Sequence, residues 1–437
     1  MFWIEFAIVL GCILVGARLS GIGIGLAGGV GLVILVFGFG LKPSSPPVDV
    51  MLIIMAVITM VSTMQATGGL DYLVTVAERI LRSHPERITL LAPLVTYGFT
   101  VFCGTAYVAF ALYPVIVEAA YEAGVRPERP MSVALTSASQ AVTASPMSAA
   151  TAVLIGLVTP HGVGLAQILL VCIPAGLAGV LAATLSVYWR GPDLDKDPEF
   201  QRRLAAGEIA PPKKAQERVI TREARLSVLL FALAVVAVVT LGSVPQLLPS
   251  WTVGGKTVRL PIPQALEMIM LSVAFLTVVL FKVKPAQIIR SSIFETGMMA
   301  VVAIFGISWL ADTFFSAHKA MLVSTMGGFV TAHPYLYAVV LFVMAALLLS
   351  QGAAMRAIGP LGMALGIPAG HMVGMFHAAS ATNFIPGTGA IIGCVAFDRT
   401  GTTRIGNFVF NHSFARPCVV SVTTSVIVGY LLANLVF

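Results

Sequence analysis

Long apolar runs recur along the chain, separated by short polar stretches. Runs at 2–17, 22–41 and 50–67 show no polar face and predict three helices. The next stretch, "GGLDYLVTVAERILRSH" at 68–84, places its charges on one face and predicts an amphipathic helix at a membrane surface. A long apolar piece at 88–122 is interrupted at "CGTAY", and a span at 131–157 is interrupted at "SQAVTASPMSAA". A further span covers 165–190. After a polar segment at 191–225, helices are predicted at 226–243, 264–281 and 291–311, then a short amphipathic stretch at 313–330. A piece at 335–365 is interrupted at "SQGAAMR", another at 371–395 at "SATNFIPGTG", and a last span covers 417–435.

These runs predict an all-α polytopic membrane protein. Continuous apolar stretches exclude a transmembrane β-barrel, whose strands alternate. Composition agrees: only 10% of residues are charged, against about 25% in water-soluble domains. The first run lacks a basic start and a small-residue cleavage site, so it is expected to be a retained helix. The net charge of +7 comes from basic residues in the loops, as membrane topology signals do, and gives no reason to expect nucleic acid as a partner. Cys12, Cys103, Cys172, Cys394 and Cys418 stand singly in apolar segments and predict free buried thiols.

The two halves share an order of elements. "MAVI" at Met55 matches "MAVV" at Met299, Asp71 and Asp312 each open an amphipathic stretch, and Thr105 and Gln351 each precede a proline, Pro114 and Pro360, by nine residues. An internal repeat is the expectation, with 1–190 and 226–437 as its units and 191–225 as a solvated cytoplasmic linker rich in Arg202, Arg203, Lys213, Lys214 and Arg218. If 88–122 and 335–365 are re-entrant hairpins, each arm is about 22 Å long, short of the ~30 Å hydrocarbon core. About ten crossings remain, five per half, so the repeats are inverted. The basic loops around Arg18 and at 78–90, 191–225, 282–290 and 398–404 then all face the cytoplasm, and both termini face the periplasm.

Four polar breaks inside apolar runs carry the candidate chemistry: "FCGTAYVAF", "SASQAVTASPMSAA", "LLSQGAAMRAIGP" and "AASATNFIPGTGA". Unpaired backbone is tolerated at membrane depth only where it is buried in protein or lines a polar cavity. Half-helix N-termini offer N–H donors and partial positive charge, which suits a carboxylate. The candidate substrate ligands are Gly104, Thr105, Ser139, Gln140, Thr143, Ser145, Ser350, Gln351, Arg356, Ser380, Thr382, Asn383 and Thr388. The plainer alternative is that these hydroxyls bond back to their own helices or join neighbouring ones. Arg356 is the only charged residue between His333 and Asp398. It is either a fork for a substrate carboxylate or a side chain snorkelling to a hairpin mouth. Asp398, Arg399 and Arg404 form a loop cluster that reads as a gate or partner contact, or as an ordinary solvated loop. "GIGIGLAGGVG" at 21–31 lacks the strand–helix context of a nucleotide fingerprint and predicts close helix packing. His371 and His377, six residues apart, share no helix face, and neither a metal nor any other cofactor is expected.

At these positions the chain resembles the anaerobic four-carbon dicarboxylate transporter (Dcu) family, essentially end to end. The resemblance rests on "GARLSGIGIGLAGGVG", "GGLDYLV", "LAPLVTY", "RPERP", "TASPMSAA", "LLSQGAA" and "DRTGTTRIGNFVFNHSF". It implies a bacterial inner-membrane carrier that exchanges fumarate, malate or aspartate for succinate. It also implies an inverted-repeat, elevator-type fold, a homodimer and, for some members, partnership with a membrane sensor kinase. The sequence departs from the family pattern at Tyr107, at Arg356 where a lysine is usual, and at Asn383, Gly387 and Gly389. Two other function classes stay open: cation-coupled uptake of another organic acid, with sodium dependence as the discriminator, and a sensor partner acting through "FDRTGTTR". No nucleophile–base or metal pair suggests an enzyme.

Overall fold

The structure is a computed structural model. It describes the backbone of residues 1–19, 22–46, 48–209, 219–253, 256–386, 388–406 and 411–437. Gly387, Lys213, Lys214, Arg218 and residues 407–410 lie outside the described residues, as do the side chains of Arg18, Tyr107 and 322–331.

The first half begins with α1 (Phe2–Leu19), α2 (Gly23–Val33, continued by a π turn at Ile34–Gly38), α3 (Val48–Ala66) and α4 (Gly69–Ser83). α5 (Ile88–Cys103) and α6 (Ala109–Glu122) follow, then α7 (Glu128–Ala144), α8 (Ala149–Val158) and α9 (Leu165–Val187). A short α10 (Pro198–Ala205) lies in the linker. The second half holds α11 (Arg222–Ser243), α12 (Ile262–Phe281), the single-turn α13 (Pro285–Ile289), α14 (Ser292–Ala332), α15 (Leu336–Leu348), α16 (Gln351–Ala364), α17 (Ala369–Met375), α18 (Gly389–Phe397) and α19 (Ala415–Val436). Among the described residues, six helices are long and apolar enough to cross a membrane, or seven if the pair bent by 76° at Ala66–Gly69 is one span.

The bend has a local cause. Gly68 sits at φ +80°, a left-handed conformation that glycine adopts without steric cost. The matching place in the second half has no glycine, and α14 runs on through Asp312 without a break. Asp312 therefore does not open a separate amphipathic helix as the repeat predicts. A small antiparallel hairpin, β1 (Ser250–Val253) with β2 (Lys256–Arg259), also departs from the all-α expectation. Its signal was present as alternating residues around a Gly-Gly pair in "WTVGGKTVRL".

Small residues set the helix packing. A Cβ on Gly25 would strike the Val302 carbonyl, and one on Gly306 would strike the Gly25 carbonyl, so α2 and α14 meet backbone to backbone. This is the close packing expected of the glycine-rich stretch. The linker is not solvated throughout. Leu194, Phe200 and Ile209 bury against Tyr121, while Arg126 and Arg129 of "RPERP" bind Asp197 at 2.6 Å and Asp193 at 2.8 Å. All five cysteines are free, four of them buried.

The α7–α8 span is the interior of the molecule. Its apolar window is 78% buried against 28% for α12 and for α19, and every residue from Pro130 to Ala144 is buried. Serine, threonine and alanine dominate this segment. It is too polar to face lipid and small enough for other helices to close around it.

Candidate functional site

Pro146 has no N–H to give the Val142 carbonyl, so α7 ends there. That carbonyl is met instead by the Ser145 N–H at 3.3 Å and the Thr151 hydroxyl at 3.4 Å. Ser148 then caps α8, accepting from the Thr151 N–H at 3.1 Å. The first hairpin docks on this break. Gly104, at φ +73°, ends α5 and leaves the Val101 carbonyl without its helical partner. The Ser145 hydroxyl donates to that carbonyl at 2.7 Å. Gly104 itself lies so close to Met147 that a Cβ would fall 2.8 Å from the Met147 carbonyl carbon. Thr105 follows, half-buried at the tip.

The second hairpin turns in the same way. Leu349 takes φ +51°, a conformation that strains a residue bearing a Cβ. Ser350 then caps α16, accepting from the Ala353 N–H at 3.3 Å. Gln351 reaches across, its Nε2 donating to the Ser139 carbonyl at 2.6 Å and the Ser380 hydroxyl at 3.4 Å. The fourth break is a 3₁₀ turn at Phe376–Asn383 followed by Thr388, which caps α18 through the Ile391 N–H at 3.3 Å. Its Asn383 Nδ2 donates to the Ser139 hydroxyl at 2.6 Å, and the Ser380 hydroxyl donates to the Ser139 carbonyl at 3.1 Å. Ser139 is thus the point where the two interrupted spans and the second hairpin tip are joined.

His377 stands beside this junction, fully buried. Its Nε2 faces the Cys172 carbonyl at 2.8 Å, which can only accept, so Nε2 carries a proton. Its Nδ1 faces the Thr143 hydroxyl at 2.7 Å, and Thr143 in turn lies 3.3 Å from the Ser380 hydroxyl. Spacing from His371 gives His377 no metal role, and the polar pattern of hydroxyls and amides does not include an imidazole. Its place three residues before Ser380, inside a polar break, was the usable signal. His371 lies apart, against Asn434 at 2.9 Å. Among the described residues no group of three His, Cys, Asp or Glu could hold a metal.

The remaining predicted residues divide. Thr382 is buried. Gln140 is fully buried, and neither its amide N nor its O has a partner among the described residues. Arg356 lies on α16 five residues past Gln351, about 7.5 Å along the axis. It does not stand bare. Its Nε meets the Asp312 carboxylate at 3.3 Å, a partner hidden from the sequence because it lies on α14.

The loop after α18 is a separate construction. Asp398 is buried, and its carboxylate accepts from the N–H and hydroxyl of Thr400, the Thr402 hydroxyl at 2.9 Å and the Thr403 N–H at 2.6 Å. It is spent in holding its own turn and offers no surface contact. Arg399 forks onto Glu118 of α6 at 3.0 and 2.7 Å and lies over the Tyr121 ring. Arg404 is exposed, and its N–H donates to Ser413.

Comparison with known proteins follows the same outline. The solved structure of the Alcanivorax borkumensis YdaH transporter superposes with a TM-score of 0.52 over 99% of this chain and 96% of that chain, at 16% identity, a likeness of fold alone. A C4-dicarboxylate transporter DcuA of Escherichia coli K12 is 42% identical over 435 residues, covering 99% of each chain. DcuA of Wolinella succinogenes is 40% identical over 433 residues, 98% of each chain. An anaerobic C4-dicarboxylate transporter DcuB of Escherichia coli O6:H1 is 38% identical over 443 residues, 99% of this chain and 98% of its own. The family model described as anaerobic C4-dicarboxylate membrane transporter matches residues 1–437, so this multi-pass membrane chain belongs to that family of transporters.

Proposed function

We propose that the chain carries fumarate, malate, aspartate and succinate across the bacterial inner membrane by exchange, through alternating access. The observation that carries this is the junction at Ser139. It joins the second hairpin tip to two broken spans, with Arg356 about a turn and a half beyond the tip and the first hairpin docked on the same break. Arg356 and the Thr382 hydroxyl suit the two carboxylates of such a substrate. Gly104, Thr105, Ser145, Ser350 and Thr388 shape the breaks that hold it. The left-handed tips at Gly104 and Leu349 support an inverted repeat of 1–190 and 226–437 with hairpins 88–122 and 335–365 re-entrant. An elevator motion, a homodimer, about ten crossings, periplasmic termini and a sensor-kinase partner complete the proposal on the strength of the family.

Counterflow tests it. Proteoliposomes loaded with succinate should take up labelled fumarate or aspartate, and Arg356→Ala should abolish uptake. An unaffected mutant would move the carboxylate site elsewhere. One observation favours a second mode for the same substrates. The Arg356–Asp312 pair is neutral overall, so an empty carrier would not drag bare charge through lipid. Charge alone therefore does not enforce exchange. Uptake into empty vesicles, driven by a sodium or proton gradient, would establish coupled uptake in its place.

A further inference from the structure

The Arg356–Asp312 pair is built in a way that bears on substrate choice. Asp312 engages only the Nε of the guanidinium, at 3.3 Å, and neither Nη nitrogen has a partner among the described residues. The side chains keep 27% and 17% of their surface, so both remain open to an incoming solute. Asp312 is also held in place. One turn before it, the Trp309 indole donates to the Ser44 carbonyl at 2.6 Å. The next residue, Thr313, accepts from the Ser44 N–H at 3.1 Å. These bonds pin α14 to the segment after α2 on both sides of the carboxylate.

A guanidinium with two free donors and an accessible carboxylate beside it form a dipolar receptor. A plain dicarboxylate approaching Arg356 meets the like charge of Asp312. An α-amino dicarboxylate brings an ammonium that Asp312 can accept while its carboxylate takes the Nη edge. We infer that Asp312 is a specificity-determining residue that favours α-amino dicarboxylates, with L-aspartate as the four-carbon case, over their unsubstituted and hydroxy counterparts. The inference rests on the proposed role of Arg356 in carboxylate binding.

The test is competition in counterflow with wild type, Asp312→Asn and Asp312→Glu, using L-aspartate, L-malate and succinate. Malate replaces the ammonium of aspartate with a hydroxyl at almost the same size. Wild type should prefer aspartate to malate. Asp312→Asn should lower aspartate affinity about tenfold or more while raising that for succinate, and Asp312→Glu should restore the aspartate preference. An aspartate-to-succinate ratio unchanged in Asp312→Asn, both substrates lost together included, would overturn the inference. Equal inhibition of the wild type by aspartate and malate would overturn it without any mutant, should the variants not fold. A wild type that transports none of the three would instead overturn the proposed function.

Discussion

Replacing Gly104 with alanine should undo the docking of the first hairpin on the broken α7–α8 span. Two costs act at once. At φ +73° a Cβ clashes with its own backbone, which costs about 1–2 kcal/mol. The same Cβ would lie 2.6 Å from the Met147 Cβ and 2.9 Å from its carbonyl oxygen, so backbone as well as side chain must move. Overpacking of this kind costs about 1–3 kcal/mol. Together the docked arrangement loses about 2–5 kcal/mol. At 1.4 kcal/mol per factor of ten, its population relative to an undocked tip falls about 30-fold even at the lower end. Counterflow into succinate-loaded vesicles should fall in step, while the membrane-inserted amount stays near wild type, because the spans that drive insertion are untouched. Gly98, on α5 with open space where its Cβ would go, is the control and should tolerate alanine. Gly104→Ala with wild-type uptake and wild-type melting in detergent would refute the docking of this tip as a requirement for transport.

Other expectations follow from single contacts. Asn383→Ala removes the 2.6 Å bond to the Ser139 hydroxyl and leaves that buried oxygen unpaired, so melting in detergent should fall by an amount equivalent to about 1–3 kcal/mol; an unchanged melting curve would show that the two broken spans are held by other means. Gly306→Leu should force α2 and α14 apart and cost at least about 1–3 kcal/mol, whereas Gly29→Ala, with nothing near its Cβ, should be neutral or slightly stabilising; equal behaviour of the two would argue against backbone contact. Asp398→Asn sets an amide N–H against the Thr402 hydroxyl and Thr403 N–H in place of an acceptor. The loop should lose about 1.5–3 kcal/mol of local stability and be nicked faster by protease in purified protein; unchanged resistance would mean the turn does not depend on the carboxylate.

Local chemistry settles much of this protein. Helix periods and polar breaks are decided within a few residues, so the interruptions of the apolar runs and the Gly-rich packing face were legible in the chain. Hydroxyls beside Gly and Pro in apolar runs marked Ser139, Gln351 and Asn383, because unpaired backbone at membrane depth needs partners nearby. What pairs with what was not legible. Ser139 meets Asn383 244 residues away, and Asp312 meets Arg356 across two helices. The bend expected near Asp312 failed for want of one glycine, which the repeat alone could not reveal. His377 and Glu118 take their meaning from helices far along the sequence. The composition of the long apolar runs thus determined that they suit a membrane interior and where they must break. Only the folded arrangement decided which breaks meet and which charges cancel, because those depend on the distance between side chains that the sequence separates.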